Sequence, residues 1–212
     1  MPISYTYNLI FIHIPKCAGT TIEKMIGTCT SAEYYDLKSR LKSGQLKTPQ
    51  HFTYLELKND LDISWNNYHA FSIVRNPYTR FVSEYNYRKD LFAKTKKPEH
   101  DPKDFVSFVG CLDMEVSQRT QLFDGHLETQ SSFLKNEIGA IESSIQVFNF
   151  ENLAPCWTMI EEKTGVKYTP YFWFRKNNSN IPYQDFYTPE LKSIVYNFYK
   201  EDFDNFNYNS EL

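Results

Sequence analysis

Apolar and polar positions alternate along this chain in two periods. The run "NLIFIHI" at 8–14 is a short, mainly apolar run rich in β-branched isoleucine and bounded by Pro15, the pattern of a strand buried on both faces of a parallel sheet. Ile22, Met25 and Ile26 then recur at helical spacing, with Thr20 or Thr21 serving the first turn and Gly27 as the stop. Helices are expected around "SAEYYDLKSRLKSG" and "TYLELKNDL". "HAFSIVR" (69–75) predicts a second buried strand, and "NPYTRFVSEYNYRKDLF" a helix with Asn76 as N-cap and Pro77 at its first position. Tyr78, Phe81, Val82 and Tyr85 mark its core face, leaving Asn76, Arg80, Ser83 and Tyr87 on the other. A polar, Pro-containing loop at 94–104 and short helices through 105–122 lead to a third strand, "SIQVFNF" (144–150), and a helix over "ENLAPCWTMIEEKTG". In "YTPELKSIVYNFYKEDF" Thr188 caps, Pro189 starts, and Leu191, Ile194, Val195 and Phe198 form the predicted buried stripe. Strands alternating with helices predict an α/β fold: a P-loop-like three-layer sandwich, with a central, mainly parallel sheet flanked by helices.

Composition sharpens this picture. The 212 residues are expected to form a single domain spanning 1–212, and 41% hydrophobic and 17% aromatic residues suffice for a sizeable core. The formal net charge is −3, and the basic run "KTKKP" at 94–98 is short, which argues against a face that tracks nucleic-acid phosphates. Cys17, Cys29, Cys111 and Cys156 form no CxxC pair and no His/Cys metal spacing, so reduced thiols and no metal are expected. The N-terminus has no basic region ahead of its short apolar run, so the expected location is cytoplasmic, without a membrane span.

The candidate chemistry lies at two strand-to-helix turns. A helix N-terminus presents unpaired N–H groups at the positive end of its dipole, a ready anion site. In "HIPKCAGTT" Gly19 allows close backbone approach, Thr20 and Thr21 add hydroxyls, and Lys16 adds a mobile cation. A triphosphatase loop instead places its lysine directly after the last glycine. Here the lysine comes three residues earlier, which argues against that chemistry. The second turn repeats the design, with Arg75 at the strand's end, an Asn-Pro helix start, and Ser83 two turns on. A guanidinium forks two hydrogen bonds onto phosphate oxygens. Two anion sites at neighbouring strand ends suit a ligand with phosphates at both ends of a nucleoside.

Together the two segments resemble the sulfotransferase family, and within it the carbohydrate branch that includes uronyl 2-O-sulfotransferases. "HIPKCAGTT" is similar to that family's 5′-phosphosulfate loop, and "RNPYTRFVSEY" to its 3′-phosphate segment. Weaker echoes are "HLETQSSFL", "VFNFENL", "KNNS" and "YKEDFDNFNY". The resemblance implies 3′-phosphoadenosine 5′-phosphosulfate (PAPS) as donor, with Lys16, Cys17, Ala18, Gly19, Thr20, Thr21, Arg75 and Ser83 holding it, and a saccharide or other hydroxyl-bearing acceptor. In that branch a histidine after the first helix serves as base within a pattern like K-H-x-T. "PQHFT" offers His51 with Thr53 two residues on, and Gln50 where lysine is often found.

Lys16 is thus expected to be catalytic at the leaving group, and His51 as general base, since imidazole titrates near neutral pH. Rival bases are His13, His69, His100, His126 and Glu23; His126 is also expected to line the acceptor cleft with Gln130. Two other readings remain open: a nucleotide-dependent kinase of the same fold, and a non-catalytic nucleotide- or glycan-binding module. The acidic balance favours a neutral or lightly charged sugar, for which "YFWFRK" (171–176) offers stacking surfaces.

Overall fold

A computed structural model describes residues 3–28, 46–60, 64–167 and 181–211. The expected helix at 31–44, the "YFWFRK" and "KNNS" segments and Cys29 lie outside the described residues. The strands are β1 (Ile3–Ser4), β2 (Leu9–Ile12), β3 (His69–Val74) and β4 (Ile145–Asn149), in spatial order β1-β2-β3-β4. β1 runs antiparallel to β2, while β2, β3 and β4 are parallel, with Ile12 opposite Ser72 and Val74 opposite Asn149. Successive strand residues point to opposite faces, and all four of β2 are buried, so both faces of the sheet are covered. This is the expected α/β sandwich around a mainly parallel sheet.

The helices are α1 (Gly19–Ile26), α2 (Tyr54–Asp60), α3 (Pro77–Thr95), α4 (Phe105–Gly110), α5 (Val116–Phe123), α6 (Gln130–Leu134), α7 (Ala154–Thr164) and α8 (Pro189–Asn205). Local chemistry sets several ends. Gly27 and Gly165 close α1 and α7 in the left-handed conformation, at φ 63° and 71°. Asn76 accepts from the N–H groups of Tyr78 and Thr79, and Thr188 from that of Leu191. No helix among the described residues is long and apolar enough to cross a membrane.

Two apolar cores result. One lies on the sheet, where α1, α2, α6 and α7 bury residues such as Ile22, Leu57, Phe133 and Ile160. The other joins α3, α4, α5 and α8 through an aromatic cluster. In it Phe81 meets Phe108 at 5.0 Å and Tyr78 meets Phe203 at 4.9 Å between ring centroids.

Two faces differ from expectation. On α8 the buried stripe is Leu191, Val195, Tyr199, Asp202 and Phe203, while Ile194 is 42% exposed and Phe198 only half-buried. The buried positions 191, 195, 199 and 202 step by four, four and three, which turns Ile194 outward, and the helix kinks at Tyr199, whose hydroxyl donates to the Leu127 carbonyl at 2.9 Å. On α3 the polar side is not a solvent face. Arg80 and Ser83 are buried with the apolar positions, because this helix runs between the aromatic core and the turn that follows β2.

Candidate functional site

β2 and β3 end side by side, and the chain leaves each through a turn into a helix. In the first turn Lys16 and Ala18 both take positive φ, 69° and 64°, on either side of Cys17. Such alternation folds successive N–H groups toward one concavity, a backbone nest for an anion. The outward carbonyls are held from behind. Arg80 Nε donates to Pro15 O at 3.1 Å, Arg75 Nη1 donates to Lys16 O at 3.2 Å, and the Cys17 thiol points to Pro15 O at 3.6 Å. Burial pushes that thiol up to about 12 against the nearby Arg80 and Arg75 charges. The Lys16 ammonium lies 4.1 Å from the centre of the Tyr87 ring, a cation–π contact.

Gly19 has a different reason from the one expected. A Cβ there would sit 1.8 Å from His13 Nε2 and 2.3 Å from its Cε1. The close approach that needs glycine is therefore that of the His13 ring. His13 is buried and meets Glu23 Oε1 through Nδ1 at 2.9 Å, and Gln50 Nε2 donates to Glu23 Oε2 at 2.9 Å. Thr20 is exposed, whereas Thr21 is buried and its N–H already donates to Ala18 O at 2.9 Å.

The second turn is fastened by Gln130. Its amide accepts from Arg75 N–H and donates to Arg75 O, both at 2.8 Å, and it also takes the Cys17 thiol at 3.6 Å. Gln130 is wholly buried, so it braces both turns and does not line a cleft. Asp202 of α8 in turn accepts the Gln130 and Ser131 N–H groups, each at 2.7 Å. Burial raises the Asp202 carboxyl, opposed by Arg80 and these two donors. Arg75 is half-buried; its Nε donates to Thr79 Oγ1 at 3.0 Å, and its guanidinium stacks on Phe150 at 4.2 Å. Burial lowers its affinity for the proton. Ser83 lies buried two turns along α3.

Beside Lys16 the chain gathers three of its five histidines. The His51 ring makes edge contacts with those of His13 and His126, at 4.8 Å in each case. His51 Nε2 lies 3.2 Å from His126 Nε2, and His126 Nδ1 lies 2.7 Å from Glu84 Oε2. Arg88 Nε donates to the other Glu84 oxygen at 2.7 Å. Burial alone would raise the Glu84 carboxyl, but His126, Arg88 and Lys16 hold it at about 2. His51 sits well below the usual imidazole range, first through burial and then through its histidine neighbours; burial also lowers His126, against the pull of Glu84.

The turn residues 16–21, Arg75, His51, His126, His13 and Glu23 thus converge at the carboxyl ends of β2 and β3. His69 and His100 lie elsewhere. His69 opens β3 at the opposite end and meets Gln146 at 2.9 Å, and His100 meets the Thr95 hydroxyl at 2.8 Å beyond the end of α3. Sequence reasoning missed Arg80, Glu84 and Asp202. For Glu84 and Asp202 the local sign is a charged residue at a helix position beside the core stripe, whereas Arg80 falls on the polar side of α3 and carries none.

A search of curated proteins and one of solved structures find no match. The profile of the sulfotransferase family matches residues 1–209, through both turns and past the end of α8. With nearly its whole length matched, the chain belongs to the sulfotransferase family.

Proposed function

We propose that the protein moves the sulfuryl group of PAPS to a hydroxyl of a saccharide acceptor. The observation that carries this reading is the joining of two cationic strand-end turns, with Arg75 bonded to the backbone of Lys16 itself. A donor with a 5′-phosphosulfate and a 3′-phosphate needs two anion sites in fixed relation, and rigidly coupled turns supply that relation.

PAPS supplies the SO₃ group that passes between an attacking hydroxyl and a leaving phosphate oxygen. Lys16 turns from the Tyr87 ring to the bridging oxygen and stabilises the charge that grows there as the S–O bond breaks. The N–H groups of Ala18 and Gly19 and the Thr20 N–H and hydroxyl complete the cradle, with Cys17 and Thr21 packed beneath. Arg75 and Ser83 hold the 3′-phosphate. The acceptor's proton goes to the His51–His126 pair; His51 is the base, and Glu84 keeps His126 oriented behind it. Glu23 instead serves to orient His13. The acceptor is a neutral or lightly charged sugar, in line with the net charge of −3 and the likeness of the turn motifs to the carbohydrate branch.

Calorimetric titration with 3′,5′-diphosphoadenosine and with ATP tests the donor. The diphosphate binds and Arg75→Ala weakens it about 10- to 100-fold, the loss of one or two charge-assisted hydrogen bonds. Tighter binding of ATP with Mg²⁺, or an unchanged diphosphate affinity in Arg75→Ala, would overturn the reading.

A further inference from the structure

We infer that His51, His126 and Asp124 form a binding site for a divalent transition-metal ion of the zinc type, whose occupancy silences the transferase. Their ligand atoms lie within 4.8 Å of one another, although His51 and His126 stand 75 residues apart in sequence. Hence no metal-ligand spacing marks them in the chain.

The positions of the ring protons make the pair a ligand set. His126 Nδ1 faces the Glu84 carboxylate at 2.7 Å, and Arg88 occupies the other Glu84 oxygen, so Glu84 accepts and His126 Nδ1 carries the proton. His51 Nδ1 faces the His13 carbonyl at 3.4 Å, a group that can only accept. With both protons on Nδ1, both Nε2 atoms carry lone pairs, and these meet at 3.2 Å with no proton between them. A metal ion accepts both pairs at once. The outer partners are those of a metal-ligating histidine, a carboxylate behind one ring and a backbone carbonyl behind the other.

Metal–nitrogen bonds of about 2.0–2.1 Å in a tetrahedron put neighbouring ligands about 3.3 Å apart. The two Nε2 atoms already stand at 3.2 Å, and Asp124 Oδ2 stands 3.9 Å from His51 Nε2. Asp124 is itself aimed by Thr48, which donates its N–H at 2.5 Å and its hydroxyl at 2.8 Å. Its side chain is 34% exposed, which leaves an entry path and a fourth position for water. Lys16 and Lys47 also face the cluster; Lys16 acts on Glu84 and His126, and Lys47, which acts on His51, is paired with Glu56 at 2.9 Å. Two imidazoles and one carboxylate then favour zinc or cobalt over magnesium or calcium.

Silencing rests on the assignment of His51 as base: a metal holding the Nε2 lone pair leaves nothing to take the acceptor's proton. The full chain, stripped with a chelator and desalted, is titrated with Zn²⁺ by calorimetry and with Co²⁺ by visible absorption. One equivalent binds, and Co²⁺ shows the intense d–d bands of a four-coordinate site. His126→Gln and Asp124→Asn each lower affinity at least about tenfold, while His100→Gln does not. Circular dichroism verifies that each variant folds, and Asp124→Asn decides if His126→Gln does not. Absence of a one-to-one site, or equal affinity in all variants, would overturn the metal site. Stoichiometric zinc binding with undiminished sulfuryl transfer would overturn the silencing and the base assignment, and leave the metal site standing.

Discussion

Gly19→Ala separates two reasons for a glycine at the head of α1. If the residue serves a bound anion, the substitution weakens nucleotide binding and leaves stability intact. The structure predicts a stability loss, because the new methyl would lie 1.8–2.3 Å from three atoms of the His13 ring. That ring cannot shift cheaply. It is buried, stacked on Phe11 at 5.5 Å between centroids and bonded to Glu23. Displacing it gives up a buried hydrogen bond to a carboxylate, about 1.5–3 kcal/mol, and overpacks the site by about 1–3 kcal/mol. Alanine recovers about 0.5–1 kcal/mol of helix preference. The net loss is about 2–5 kcal/mol, or about 4–20 °C in Tm for a chain of this length. Urea unfolding of wild type, Gly19→Ala, His13→Ala and the double variant measures it. With the ring removed, the added methyl has room, and Gly19→Ala then costs less than about 0.5 kcal/mol. An equal cost in both backgrounds, or unchanged stability with nucleotide affinity lost, would refute the reasoning.

Arg80→Met removes the donors to Pro15 O and His126 O from a residue 2% exposed, and lowers stability by about 2–5 kcal/mol in urea unfolding; a change below about 0.5 kcal/mol contradicts the bracing role. Glu84, held at about 2 against an ordinary 4.5, stabilises the fold above the ordinary value and loses that contribution as pH falls from 4.5 toward 2. Stability measured from pH 7 to 3 therefore falls less steeply in Glu84→Gln than in wild type, by about 2 kcal/mol, since the rest of the contribution is lost only below pH 3, and parallel curves would contradict it. Alkylation of the folded protein at pH 8, followed by peptide mapping, modifies Cys111 before Cys17 and Cys156, whose thiols burial pushes up to about 12; equal rates at Cys17 and Cys111 would contradict the buried placement.

What the sequence disclosed was local. Asn76-Pro77, Thr188-Pro189, Gly27 and Gly165 mark helix ends by their own backbone and side-chain chemistry, and the structure places those ends as expected. The three apolar runs became the three parallel strands; β2 and β3 are buried nearly throughout, whereas β4, at the edge of the sheet, exposes Gln146 and Asn149. Lys16, Arg75 and their turns were legible because strand, turn and helix start follow one another in the chain. The bracing around them was not. Gln130 acts on Arg75 from 55 residues away and Asp202 on Gln130 from 72, distances at which no periodicity speaks. Arg80 lies on the polar side of α3 and reads as solvated until the Pro15 carbonyl is seen against it. Gly19 was recognised as a point of close approach, but the neighbour proved to be a side chain six residues earlier. The α8 stripe was legible at Leu191 and Val195, but Tyr199 and Asp202 continue it, because the Tyr199 hydroxyl donates to the Leu127 carbonyl and Asp202 accepts the Gln130 and Ser131 N–H groups.

The central claim is that Lys16 stabilises the charge left on a phosphosulfate as its sulfuryl group departs to a sugar hydroxyl. Its most direct test is transfer of radiolabel from sulfur-labelled PAPS to a panel of neutral and lightly charged saccharides, by wild type and by Lys16→Ala. Wild type should yield labelled saccharide and an equal amount of 3′,5′-diphosphoadenosine. Lys16→Ala should turn over about 100- to 1000-fold more slowly while still binding the diphosphate. Near-normal turnover by Lys16→Ala, or no labelled saccharide from a wild type that binds the diphosphate, would contradict it.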